Sequence, residues 1–320
     1  MRLAYGAALL SLAGCATPQD TNAPAELLYV GNKAEDTVSV IDLASGEELR
    51  RLPTGPEPHE LAASPDGREV AIGHYGANSL GIVDVATGEM REVDLGANTK
   101  PHGVVWHPSG DLFATTEGTD TIVRVRGEAV ESFPTEARGS HMMVVSADGD
   151  TAWVANMESD TVGRIDLATG RVTEAPAGEA PEGIALLPNE SELWVSARES
   201  DTVHVFDADT LEPLARIDDV GEFPLRLVIS PDGAFAVTSD LASGSLTVID
   251  TATRETVRTI LLDEGRRVNQ VTILFSADGE RLYVAETGRD RVAELDFGTG
   301  EVLRRFAAGD QSDGLALARR

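Results

Sequence analysis

Thr37-Val38-Ser39-Val40-Ile41-Asp42, with the turn Ser45-Gly46-Glu47 behind it, is the phrase that decides the fold. It is short, β-branched and alternating, which reads as a strand. The glycine supplies the positive φ that a tight hairpin needs. The phrase returns as Ser79-Leu80-Gly81-Ile82-Val83-Asp84 before Thr87-Gly88-Glu89, then over 121–126, 161–166, 202–207, 245–250 and 291–296. Its starts at 37, 79, 121, 161, 202, 245 and 291 lie 40 to 46 residues apart, the period of a four-stranded propeller blade.

Three more strands surround each copy. An apolar strand precedes an Asp-Gly turn, as in Leu61-Ala62-Ala63 before Asp66-Gly67 and Leu227-Val228-Ile229 before Asp232-Gly233. A second strand follows that turn, as in Trp153-Val154-Ala155-Asn156 or Tyr283-Val284-Ala285, and a fourth follows turns such as Thr169-Gly170-Arg171. The two ends of the body are complementary. Leu27-Leu28-Tyr29-Val30 is a second strand without a first, and Asp313-Gly314-Leu315-Ala316-Leu317-Ala318 is a first strand without a second. The expected fold is all-β: a seven-bladed β-propeller of four-stranded antiparallel blades over residues 26–320, closed by the C-terminal strand joining the N-terminal blade. Such closure removes open sheet edges.

Tyr29-Val30-Gly31-Asn32, Trp153-Val154-Ala155-Asn156, Pro58-His59-Glu60-Leu61 and Ser64-Pro65-Asp66-Gly67 resemble the YVTN family of β-propeller repeats, which takes in lactonase-like and YncE-like propellers. The resemblance covers about residues 26 to 320. It implies the fold; activities on this fold are too varied for it to imply one. Two places depart from the pattern. Arg126 with Gly127-Glu128 replaces the usual Asp and its turn in the third blade, and Asn189-Glu190 replaces one Asp-Gly pair.

Ahead of the body, Arg2 precedes an apolar run that closes on Leu12-Ala13-Gly14-Cys15. The run is too short for a membrane-spanning helix and has the layout of an export signal. Its end resembles the bacterial lipobox, in which the cysteine becomes lipidated. Residues 1–14 therefore read as a lipoprotein signal peptide and 15–25, small, polar and proline-containing, as a flexible tether. Ala16 after the cysteine implies, by the same resemblance, the outer membrane facing the periplasm in a Gram-negative cell.

Asp and Glu number 54 against 26 Lys and Arg, a net charge of −28. That balance argues against nucleic acid and against an anionic membrane surface other than through a lipid anchor, and it suits a soluble monomer. Cys15 is the one cysteine, so disulfides, thiolate metal sites and thiol catalysis are excluded from the body. No phosphate-binding glycine loop or G-x-S-x-G elbow is present. His59-Glu60 begins like a zinc-protease motif, but Ala63 stands where the second histidine belongs.

The candidate site is positional. Each innermost strand begins with a Pro-X or similar step, and X is His59, His102, His141, Glu182, Leu225, a residue at about Gln270, and Asp313 in turn. In a closed ring these gather at one mouth of the central channel. The loops between second and third strands open on the same face and bring His74, Glu117, Asn156, Arg198 and Glu286. His59, His102 and His141, on three successive blades, suit a divalent metal, and no other cofactor is indicated. The bland reading of the same histidines is structural, with each ring hydrogen-bonded to a neighbouring loop. His107 and His204 receive no role. The aspartates at 66, 148, 232 and 278 read as turn-formers, and Trp153, Trp194 and Tyr283 as core between blades.

Without a catalytic motif, the leading expectation is a cell-envelope binding or scaffolding lipoprotein that uses its mouth face toward an envelope protein or a small ligand. One alternative is a lactonase- or lyase-like enzyme with a His/carboxylate site. The other is an accessory protein of a periplasmic redox enzyme. In a bacterial host the mature chain should begin at an acylated Cys15 and fractionate with membranes. Cys15→Ser should move it to the aqueous fraction; a Cys15→Ser chain that keeps its lipid mass and membrane abundance would contradict the lipobox reading.

Overall fold

The computed structural model describes residues 25–263 and 268–320, so Cys15 and the stretches read as signal peptide and tether, up to residue 24, lie outside the described residues. The body folds as the repeat predicts, into seven four-stranded antiparallel sheets. Blade one combines the last strand, β28 (Ser312–Arg319), with β1 (Glu26–Asn32), β2 (Thr37–Asp42) and β3 (Glu48–Pro53). Blades two to seven each use four consecutive strands, over 58–94, 101–134, 140–176, 181–217, 224–261 and 270–307. β1 pairs β28 in register Leu27↔Ala318 through Val30↔Leu315, which is the expected closure. No helix among the described residues is long and apolar enough to cross a membrane.

The innermost strands are β28, β4 (Pro58–Ala63), β8 (Pro101–Trp106), β12 (Ser140–Val145), β16 (Pro181–Leu186), β20 (Pro224–Ile229) and β24 (Gln270–Phe275). Each touches the next, and β24 returns to β28, so they line a closed ring. Strand alternation sends apolar side chains from both faces of a blade toward its neighbours. The buried core is accordingly divided into seven clusters, one at each blade–blade interface. Trp153 crosses one such interface and donates from Nε1 to Ala208 O at 2.9 Å. Trp194 and Tyr283 are buried in two others.

The turns are built as their residues imply. Ser64, Ser146, Ser230 and Ser276 donate their hydroxyls to Asp66, Asp148, Asp232 and Asp278 within each Asp-Gly turn. The strand-ending Asp42, Asp84, Asp166, Asp207, Asp250 and Asp296 accept backbone N–H groups of the following hairpin. The irregular third blade is compensated: Arg126 closes a two-residue turn, Arg126↔Ala129, and its guanidinium pairs Asp111 of the same blade.

Inner strands approach so closely that glycine is required at the seam. A Cβ on Gly314 would lie 2.0 Å from His59 O, and one on Gly183 2.5 Å from Leu227 N. Hydroxyls stitch the same seams. Thr115 Oγ1 accepts from Gly103 N and donates to His141 O in the next blade; Ser239 Oγ accepts from Arg226 N and donates to Val271 O. Gly314→Ala should therefore force the seam between blades one and two apart and lower stability by about 1–3 kcal/mol or more. Urea unfolding measures this, and deletion of 312–320 should go further, to aggregation or unfolding. An unchanged midpoint for Gly314→Ala would show that the seam is not tight.

Candidate site at the channel mouth

Two backbone devices aim the mouth residues. The residue two before each X position is left-handed in all seven blades: Glu57, Lys100, Gly139, Ala180, Phe223, Asn269 and Gln311 have φ between 48° and 73°. For residues with a Cβ this conformation costs roughly 1–2 kcal/mol each. It is held from the preceding blade. Asp36, Asp120, Asp160, Asp201 and Asp290 accept the N–H of Glu57, Gly139, Ala180, Phe223 and Gln311 at 2.7–2.9 Å. The same left-handed residue's carbonyl, in six blades, accepts the N–H of the residue just past the second strand: Lys33, Tyr75, Glu117, Met157, Arg198 or Leu241. X and that residue are thereby brought side by side.

One part of the sequence expectation needs correcting by a single position. His74, Asn156 and Glu286 are the last residues of their second strands and turn into their own blades. His74 is buried between Thr54 Oγ1 (2.8 Å) and Ser79 Oγ (3.0 Å), against Gly55, where a Cβ would fall 2.3 Å from the ring. Asn156 donates to Thr161 Oγ1. Glu286 is buried against Arg291 and Arg305. Pleating decides this, because the next residue along faces the opposite way. Thus Tyr75, not His74, joins the mouth. Gln270 likewise precedes its X position, which is Val271, and donates to Ser245 O at 3.0 Å. Glu117 and Arg198 lie where expected. His107 Nε2 reaches Ser146 O, and His204 reaches Thr202 Oγ1, both away from the mouth.

The mouth is polar over five consecutive blades. Asp313 Oδ2 lies 2.7 Å from His59 Nδ1 and 3.5 Å from Lys33 Nζ, while Lys33 Nζ is 3.2 Å from His59 Nε2. Burial opposes the charge on Asp313, but His59, Lys33 and Arg226 outweigh it and hold the carboxyl well below the usual range. The rings of His59 and His102 have centroids 4.2 Å apart, and those of His102 and His141 3.7 Å. Tyr75 stands edge-on to His59 and His102, and its phenol is pushed up to about 12 by burial and by Glu117.

His141 Nε2 lies 3.1 Å from Glu182 Oε1, and its Nδ1 3.7 Å from Glu117 Oε2; neither nitrogen is aligned for a hydrogen bond. Burial disfavours the imidazolium, yet Glu182 and Glu117 raise the His141 pKa overall. Burial likewise opposes ionising Glu182, but His141, Arg226 and Arg198 pull it down to about 2. His102 is 1% exposed, and neither ring nitrogen has a hydrogen-bond partner. Burial, then the neighbouring His141 and His59, push it well below its ordinary value, so it is neutral.

Beneath the histidines the channel is plugged. Arg226, from blade six, pairs Glu182 of blade five and reaches across the ring to Glu60 of blade two, with Nη2–Oε1 at 2.7 Å. Neither Arg226 nor Glu60 was anticipated as a site residue. The available signal was a charged side chain after X, where blades one, three and five carry glycine. The site thus has a salt-bridged floor of Arg226, Glu182 and Glu60.

Fold and site together define a seven-bladed β-propeller with a charge-lined, plugged channel. The chain belongs to the YNCE-like beta-propeller family, whose model matches residues 6–318. It is 34% identical to Antigen Lp49 of Leptospira interrogans over 103 residues, 31% of this chain and 21% of that protein. It is 23% identical to YncE of Salmonella typhimurium over 238 residues, 66% of this chain and 65% of that one. The chain thus covers less than two thirds of either relative. Among solved structures, virginiamycin B lyase from Staphylococcus aureus superposes with a TM-score of 0.69 at 17% identity, over 83% of this chain and 92% of that one. At that identity the likeness shows the fold alone.

Removing the floor cation leaves Glu60 buried without its ion pair. Arg226→Met should cost about 3–5 kcal/mol in urea unfolding. Adding Glu60→Met should recover part of this, because the stranded carboxylate is gone. An unchanged midpoint for Arg226→Met would show that the floor is hydrated.

Proposed function

We propose that this protein is a non-catalytic binding module of the bacterial envelope, exported and lipid-anchored through Cys15, whose channel mouth holds a small ligand or ion. The observation that carries the reading is His102. A buried imidazole with neither nitrogen paired costs about 1–3 kcal/mol for each polar atom left unsatisfied. With His141, whose two nitrogens also lack an aligned hydrogen-bond partner, His102 gives four buried ring nitrogens at one mouth to which a ligand can bond.

A lyase or lactonase reading has one observation in its favour, the His59–Asp313 pair at 2.7 Å, an arrangement that could orient a general base. Lys33 Nζ stands 3.2 Å from the other ring nitrogen, which leaves no free basic nitrogen on that ring. Binding is therefore preferred.

The test is a thermal-shift panel on the full chain with inorganic ions, dicarboxylates, amino acids and polyamines. At least one should raise the melting temperature of wild type and leave His102→Ala unmoved. If no compound shifts wild type, or every shift survives in His102→Ala, the mouth is not the binding face.

A further inference from the structure

We propose that His102, His141 and Glu117 form a site for one divalent transition-metal ion of the zinc, copper(II) or nickel class. The inference rests on the binding reading above and narrows it to an ion and three ligands. One nitrogen from each ring and one Glu117 oxygen lie within 4.8 Å of one another. Ligands about 2.0–2.2 Å from a tetrahedral ion stand roughly 3.3–3.5 Å apart, so small side-chain rotations would close the site.

The surroundings supply what such an ion requires. His102 has both nitrogens free to ligate. His141 presents Nδ1 toward Glu117 and Nε2 toward Glu182. Glu182 is itself held by Arg198 and Arg226, so it can orient the ring from behind, as carboxylates do behind metal-bound imidazoles. Tyr75 approaches Glu117 and steadies the carboxylate. Two imidazoles and a carboxylate favour borderline transition ions over magnesium or calcium, and they leave a fourth position open to water or a ligand.

The geometry also separates this trio from the three histidines that the repeat alone suggests. His59 has Asp313 Oδ2 2.7 Å from Nδ1, close but not aligned for a hydrogen bond, and the ammonium of Lys33 against Nε2. A cation 3.2 Å from Nε2 repels a second one. His59 is a neighbour of the site and not a ligand, and Glu117 takes its place.

The experiment is isothermal titration of the untagged full chain, stripped with a chelator, with ZnCl2 as the probe. Wild type should take up one equivalent. Glu117→Gln and His102→Ala should each weaken binding by at least about tenfold, the loss that follows even from removing an outer partner. His59→Ala should stay within about threefold of wild type. Circular dichroism checks that each variant is folded, and the isosteric Glu117→Gln serves if His102→Ala is not. Co2+ substitution gives an independent readout, since ligand-field bands of wild type should be lost in Glu117→Gln. No stoichiometric uptake by wild type, or wild-type affinity in folded Glu117→Gln, overturns the metal site. If a compound of the thermal-shift panel still acts through His102 in that case, the binding reading stands without the metal. If none does, both fall.

Discussion

The arrangement of the mouth depends on a hydrogen bond between blades: an aspartate in one blade's second-to-third-strand loop accepts the N–H of a left-handed residue that starts the next blade's inner strand. Asp36, Asp120, Asp160, Asp201 and Asp290 all do this. The left-handed kink is unfavourable for Glu57, Ala180, Phe223 and Gln311, so it persists only because the neighbouring blade holds it. The kink sets the direction in which the following two residues leave, and hence which side chain faces the channel. In five of the seven blades a neighbour's aspartate thereby aims part of the site, and Lys100, two residues before His102, is held instead through Ala77 O, so the site is a property of the closed ring.

Charge compensation follows from that crowding. The inner strands of blades one, two, five and six deliver Asp313, Glu60, Glu182 and Arg226 into a buried space, and all four pair. Asp313 meets His59 and Lys33, Glu182 meets His141, Arg198 and Arg226, and Glu60 meets Arg226. Removing one partner of a buried pair is costlier than never having the pair, so the members constrain one another. His102 stands outside this bookkeeping, between two histidines and one residue from Gly103, whose N–H and neighbouring strands are already engaged. The net charge of −28 has a separate origin, in the acidic turns and exposed outer strands. It bears on solubility, while the mouth is an internally balanced set.

The ring and its closure were legible because they rest on local, periodic chemistry. β-Branched alternation, Asp-Gly and Thr-Gly turns and a repeat of 40 to 46 residues each act within one blade, and the complementary ends state the seam directly. The first members of the mouth, His59, His102, His141, Glu182 and Asp313, were legible for the same reason, since they share one repeat position. The second set was misread by one residue wherever the end of the second strand was taken for the loop, which exchanged His74 for Tyr75. In a pleated strand that single step reverses the side chain.

Sequence by itself thus determined the all-β repeat, the blade count, the strand that closes the ring and the end of the channel at which imidazoles and carboxylates gather. Only the tertiary structure decided which of them meet. Arg226 and Glu60 are 166 residues apart and pair because the ring sets blades six and two across one channel. Lys33 removes His59 from the free histidines, and Glu117 reaches His141 in the neighbouring blade. Those relations are contacts across blades, and a period within blades carries no information about them.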